Sequence, residues 1–444
     1  MGTDRQTPRL AWLPWVLFAV LAVRLCLRTS AHAVDLPYWD QWDFQRPLFD
    51  GAALPTFFHW QHGPQREGVG GLVLWASAHL TQFDLRAEVL AACAIMVVGA
   101  LAGMVLAQRL RGRLDGLDCA APLLLLSGLH ADVLTTVPNP AHGPVPFALL
   151  LCAALAATAE AAVTRATLLA LLAPLTMYTG FGLVFAPFML LLLALEALRA
   201  RGESRSPLPA LLGLAAALPA CASFFYRYRH DPALGCYRFP DPHPQKYLPF
   251  SALVLTRPLG ADSLHGPHAA LVTALVLPVL AALGWGCARA LRTRGADPVA
   301  RTMLLLGGGA AAFALATAVG RVCLGLGAGA APRYTPYVVP GLLACWLWLR
   351  ERVPEGRWKP AALAIALLVC VGKEVLLEVS PDPELARTSA GKRAVRACLR
   401  EGASLHTCTE RARFLVYPEP VPAHLEDELR FLREHRLGLF RTDQ

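Results

Sequence analysis

The sequence predicts an all-α membrane protein, a polytopic bundle of about eleven transmembrane helices followed by a small helical region. Three observations carry that expectation. Of 444 residues, 55% are hydrophobic and only 16% charged, with a mean hydropathy of +0.44. That leaves too little polar surface to cover a soluble core of this size. Apolar runs recur from residue 10 to residue 379, and they do not alternate as the strands of a membrane barrel do.

Taking about 20 residues as the length of a crossing, the runs fall at 10–29, 85–108, 117–136, 144–162, 166–179, 181–198, 208–226, 268–290, 302–319, 335–349 and 360–379. The first resembles a signal peptide. It carries Arg24 and Arg28 and lacks a clean small-residue cleavage site, so it reads as a retained anchor. Gly68–Leu80 and Leu248–Leu259 are too short to cross and read as re-entrant or interfacial segments. Residues 1–379 form the membrane domain, with a first outer loop at 30–67, and residues 380–444 form an external helical region.

The net charge of +9 comes from arginines clustered between apolar runs, which points to topology and anionic lipid rather than to nucleic acid. Arg109, Arg111 and Arg113, then Arg165, then Arg199, Arg201 and Arg205 follow alternate runs. So do Arg289, Arg292, Arg294 and Arg301, and finally Arg350, Arg352, Arg357 and Lys359. With eleven crossings all of these share one side, the cytoplasmic one, together with Arg5 and Arg9. The tail from Ser380 then lies on the outer side. Twelve cysteines show no metal-ligand spacing. Cys398 and Cys408 are candidates for a disulfide in an oxidising compartment.

The opposite side carries the chemistry-bearing residues. In "DLPYWDQWDF", Asp40 and Asp43 stand three apart, so a helix there turns both carboxylates to one face. Trp39 and Trp42 repeat the spacing and read as interfacial anchors. A carboxylate at this position suits the work of a general base or the binding of a divalent cation. His59 and His62 repeat the three-residue spacing, and His142 closes "VPNPAH". His130 and Asp132 lie near the outer end of an apolar run, where ionisable groups face the bundle interior or a cavity. Arg321 and Arg333, with Tyr334 in "PRYTPY", stand on this side, where arginines are outnumbered, and a guanidinium suits a phosphate. Lys373 and Glu374 read as a structural pair or as snorkelling residues, and Leu425, Leu429, Leu432 and Leu437 as an amphipathic stripe in the tail.

This layout resembles the GT-C superfamily of membrane glycosyltransferases. Four segments are similar to a bacterial multi-pass group of that plan: "PYWDQWDF", "HWQHGPQREGVGGLVLW", "GRVCLGLGAGAAPRYTPY" and "LVYPEPVPAHLEDELRFLREHRLGLF". Trp60 and Gln61 stand where that group has Asn and Glu, and Pro332 where it has Ser. The resemblance implies a polyprenyl-phosphate-linked sugar as donor and a glycan, lipid or protein acceptor. It implies Asp40 or Asp43 as base and Arg321 and Arg333 on the leaving phosphate. His59, His62, His130, Asp132, His142 and Tyr334 would assist binding. A divalent cation, Mg or Mn, would sit on Asp40 and Asp43 if one is used, and no other cofactor is implied. Two rival readings are a flippase for a lipid-linked sugar and a non-catalytic subunit of envelope polysaccharide assembly. Against the flippase, no internal repeat is evident and the polar residues gather at one face.

Overall fold

The structure, a computed structural model, describes residues 10–136, 139–229, 235–380, 383–418 and 421–441. Arg5 and Arg9, and residues 137–138 and 230–234 of two loops expected to face outward, lie outside the described residues. The chain is all-helical, with 76% helix and 1% strand. The strand content is one antiparallel hairpin that pairs Gln61 with Arg66 and His62 with Gln65.

Seven helices are long and apolar enough to cross a membrane: Leu13–His32, Leu85–Arg111, Gly116–Thr135, Gly182–Gly202, Leu208–Phe225, His268–Arg292 and Pro298–Leu324. The runs at 144–162 and 166–179 form shorter apolar helices, Pro144–Ala157 and Ala162–Met177. Thr335–Arg352 and Trp358–Val379 are further helices of the bundle. The stretches 68–80 and 248–259 are also helical, as Gly68–Thr81 and Tyr247–Thr256, 14 and 10 residues long. Prolines near helix starts fit this pattern, since Pro336 and Pro144 occupy first-turn positions whose N–H has no helical partner.

The arginine-rich turns meet at one end of the bundle. Arg111 binds Asp118 at 2.8 Å and Glu351 at 2.6 Å, and Arg350 pairs with Asp115. Arg352 and Arg289 both bind Asp297, at 2.7 and 2.8 Å. Arg165 pairs with Glu196. Glu374, inside the bundle, is paired as well. It takes Arg24 and, at 3.0 Å, Lys373, whose ammonium also donates to the Leu123 carbonyl at 3.1 Å. A lone charge there is costly, and pairing removes most of the penalty.

At the other end, the first loop and the C-terminal region share a core of their own. Val34, Leu36, Tyr38 and Trp42 pack against Val395, Leu399, Leu405 and Val416, and against Leu425, Leu429 and Leu432 from the amphipathic stripe. Residues 380–444 are thus packed onto the first loop rather than folded apart from it. Two disulfides lie at this end. Cys398–Cys408 ties the helix Pro383–Arg400 to Leu405–Ala412, and Cys236–Cys323 ties the loop after Phe225 to the turn that follows Arg321.

Candidate functional site

Trp39 starts the site. Its φ is +51°, a left-handed conformation that costs a bulky residue free energy, and its N–H donates to the Val416 carbonyl at 2.8 Å. The C-terminal region therefore holds the turn. Asp40 follows as the residue that begins the helix Gln41–Phe49, but its side chain does not cap that helix. The carboxylate of Asp40 makes no hydrogen bond or ion pair among the described residues.

Asp40 opens into a cavity of about 290 Å³. The first loop contributes Trp39, Asp40 and Phe44. The end of Gly116–Thr135 contributes Asp132, Val133 and Thr136, and the turn after it Asn139 and His142. Phe181, the segment Ala331–Arg333 and Glu384 complete the wall. Four residues separated by up to about 290 positions, Asp40, Asp132, His142 and Arg333, thus share one cavity. Arg333 is exposed, lies over the Tyr334 ring at 5.3 Å and has no carboxylate partner among the described residues. Arg321 does not line the cavity, yet it lies close enough to feel the charges of Arg333 and Asp40.

Asp43 faces the same way as Asp40, as the three-residue spacing requires. Donor atoms of Asp40, Asp43 and His62 all lie within 4.8 Å of one another. Two carboxylates and an imidazole form a donor set fit for a divalent cation, and the nitrogen favours Mn over Mg. Asp43 is already engaged from the C-terminal region. Tyr417 donates its hydroxyl to Oδ2 at 3.0 Å, and His424 Nε2 stands 3.6 Å from Oδ1. Burial and the Asp43 charge push the Tyr417 phenol up to about 12, so it stays a donor. Glu428 lies beneath, 3% exposed, with neither oxygen bonded. Burial and then Asp43 push its carboxyl up to about 9.

The structure divides the other sequence candidates. His59 and His62 do not share a face: the helix Leu54–His59 ends, Trp60 turns extended, and His62 enters the hairpin. His62 meets the Phe44 ring at 4.8 Å, whereas His59 meets Tyr178 at 5.2 Å, away from Asp40. His130 is fully buried against Phe147. It belongs to the bundle core, while Asp132, two residues on and on another helix face, lines the cavity. Tyr334 is 2% exposed and packs on Phe313, so it supports Arg333 from below rather than facing a ligand. Trp42 is a core residue, not an interfacial anchor, whereas Trp39 is 41% exposed on the cavity wall.

Sequence reasoning missed Glu67. It is buried, 3.5 Å from His142 Nε2, and accepts a hydrogen bond from Asn139 Nδ2 at 3.3 Å. His142 stacks on Phe44 at 5.1 Å, so Glu67 places a buried carboxylate beside an imidazole that lines the cavity. Gly70 makes this approach possible, because a methyl group there would collide with the Ala141 backbone. The signal was present in "QREGVGG", an acid followed by glycines at close-packing spacing.

No protein-family model matches the chain, and no curated protein or solved structure is significantly similar to it.

Proposed function

We propose that the protein is a GT-C-like membrane glycosyltransferase that moves a sugar from a polyprenyl-phosphate donor to an acceptor hydroxyl in the cavity beside Asp40. The observation that carries this reading is an uncompensated carboxylate and an uncompensated guanidinium, Asp40 and Arg333, on the walls of one cavity. A protein that only needed stability there would pair them.

The chemistry follows from those two charges. Asp40 accepts the proton of the acceptor hydroxyl, and the freed oxygen lone pair attacks the anomeric carbon from the face opposite the phosphate. The bond from that carbon to the phosphate oxygen breaks, and its electrons stay on the phosphate. Arg333, with Arg321 behind it, meets the charge that develops there, so it stabilises the transition state more than the ground state. A single displacement inverts the anomeric centre. Asp40 is the better base of the two, because Tyr417 and His424 occupy Asp43. A divalent cation held by Asp40, Asp43 and His62 is the alternative use of these groups: it would add positive charge for the departing phosphate, and Asp40 would then not be free to serve as the base. His142, beside Glu67, and Asp132 bind the polar groups of the sugar.

The reading extends to topology. About eleven passes, counting the shorter helices and the last two, put the arginine-rich turns in the cytoplasm and the cavity and C-terminus in the periplasm of a bacterial inner membrane. Both disulfides lie at the cavity end, as an oxidising compartment allows. Reconstitution with a panel of polyprenyl-phosphate-linked sugars tests the proposal: transfer with inverted anomeric configuration is expected. Translocation of the lipid without transfer would replace it with the flippase, and neither activity would favour the assembly subunit.

A further inference from the structure

A second cavity, of about 620 Å³, lies on the far side of the hairpin from Asp40. The hairpin itself makes the division. Successive strand residues point to opposite faces, and paired residues across the strands share a face. His62 therefore joins Asp40 and Asp43, while Gln61 and its partner Arg66 line the second cavity.

This cavity is assembled by bonds between distant parts of the chain. Arg66 is 4% exposed and clamps the end of Leu208–Phe225, donating from Nε to the Phe224 carbonyl at 2.8 Å and from Nη2 to the Tyr226 carbonyl at 2.7 Å. Its third donor takes the His59 carbonyl. Gln61 holds the next turn in both directions, donating to the Arg229 carbonyl at 2.6 Å and accepting from the Arg229 N–H at 3.1 Å. Tyr228 donates to the Pro64 carbonyl at 3.0 Å. The segment 226–229 is thus fixed against the hairpin through its backbone and the Tyr228 hydroxyl, while Arg227 lies over the Tyr226 ring at 5.2 Å and neither arginine is spent on a hydrogen bond from its side chain among the described residues.

Those side chains give the cavity its character. Arg227 and Arg229 line it, both exposed, and neither has a carboxylate partner among the described residues. Trp60 and Tyr226 add aromatic wall, and no acidic residue lines it among the described residues. Burial, then the Arg66 charge, lowers the His59 imidazole below its ordinary value, so His59 adds a neutral hydrogen-bonding group at neutral pH.

We infer that this cavity binds an anionic saccharide, one bearing carboxylate or phosphate groups, with Arg229 and Arg227, the latter backed by the Tyr226 ring at 5.2 Å, on the anionic groups and Trp60 against a sugar face. Unpaired guanidiniums select carboxylate or phosphate by bidentate hydrogen bonding, and aromatic walls accept the apolar face of a pyranose. The binding site stands on the cavity alone. Its use as the acceptor site, one hairpin thickness from Asp40, rests on the glycosyl-transfer reading.

Titration calorimetry of the full chain in phosphatidylcholine nanodiscs tests it, with trigalacturonic acid as probe and maltotriose as the neutral control. The charged trisaccharide should bind at least about tenfold more tightly than the neutral one, and Arg227→Gln with Arg229→Gln should remove that margin. Thermal unfolding of the double variant confirms that these exposed positions leave the fold intact. Asp40→Asn should leave the affinity unchanged, which separates this site from the transfer reaction. Equal binding of the two sugars, or unchanged binding in the double variant, would overturn the proposal. So would loss of trigalacturonate binding in phosphatidylglycerol nanodiscs at an ionic strength that screens the bilayer's surface charge, since that outcome assigns the cavity to lipid headgroups.

Discussion

The two ends of the bundle treat charge in opposite ways. At the arginine-rich end, carboxylates are met: Asp118 by Arg111 and Arg350, Asp297 by Arg289 and Arg352, Glu196 by Arg165 and Arg199. At the cavity end, Asp40, Arg321 and Arg333 stand near one another with no ion pair among the described residues. Pairing neutralises a charge and fixes a helix end. Leaving opposite charges apart around a cavity keeps both available to a ligand. The difference separates residues that hold the bundle from residues that act in it, and substitution should split them in the same way.

The largest effect is expected at the paired end. Asp118 is fully buried, and its loss takes one carboxylate from Arg111 and Arg350, which keep Glu351 and Asp115, and leaves the Trp346 N–H that it accepts at 3.3 Å without an acceptor. Asp118→Ala should cost about 3–5 kcal/mol, read as a drop in thermal stability in detergent. Arg333→Ala should leave that stability within about 0.5 kcal/mol. Its effect belongs to activity, where transfer should fall by about 10²–10³-fold, as loss of one group stabilising developing charge does.

A smaller effect joins the first loop to the C-terminal region. The Glu428 carboxyl, near 9 when folded against an ordinary 4.5, holds a proton between those values that the unfolded chain releases. Its contribution to stability is full below pH 4.5 and is lost as pH rises towards 9. Glu428→Gln should flatten that dependence and stabilise the protein by on the order of 2 kcal/mol at pH 8, read from unfolding at several pH values. A persistent pH slope of the same size in the variant would show that another group carries it. The smallest effect concerns the cation. His62→Ala should weaken Mn²⁺ binding about 10-fold or more while leaving stability unchanged, and an unaltered titration would remove His62 from the donor set.

Much of this contrast was legible in the chain. Apolar runs marked the helices, the arginine clusters marked the paired end, and the spacing of Asp40 and Asp43 placed both carboxylates on one face. Cys398 and Cys408 are close in sequence and form the bond that their proximity suggested. What stayed hidden depends on contacts that local spacing does not encode. Tyr417, His424 and Glu428 reach Asp43 from more than 370 residues away, and Cys236 finds Cys323 across a separation of 87. His59 and His62 misled because helical periodicity was assumed through Trp60, where the backbone turns extended. Glu67 escaped notice because an acid in a polar loop gives no sign that folding will bury it beside His142.

The most direct measurement compares wild-type protein with Asp40→Asn and Asp43→Asn for transfer of a radiolabelled sugar from a polyprenyl-phosphate donor, each variant first shown to insert and unfold normally. The account predicts that Asp40→Asn lowers the transfer rate by about 10²–10⁴-fold, as loss of a general base does, with Asp43→Asn affected less. Wild-type rates in Asp40→Asn would contradict it.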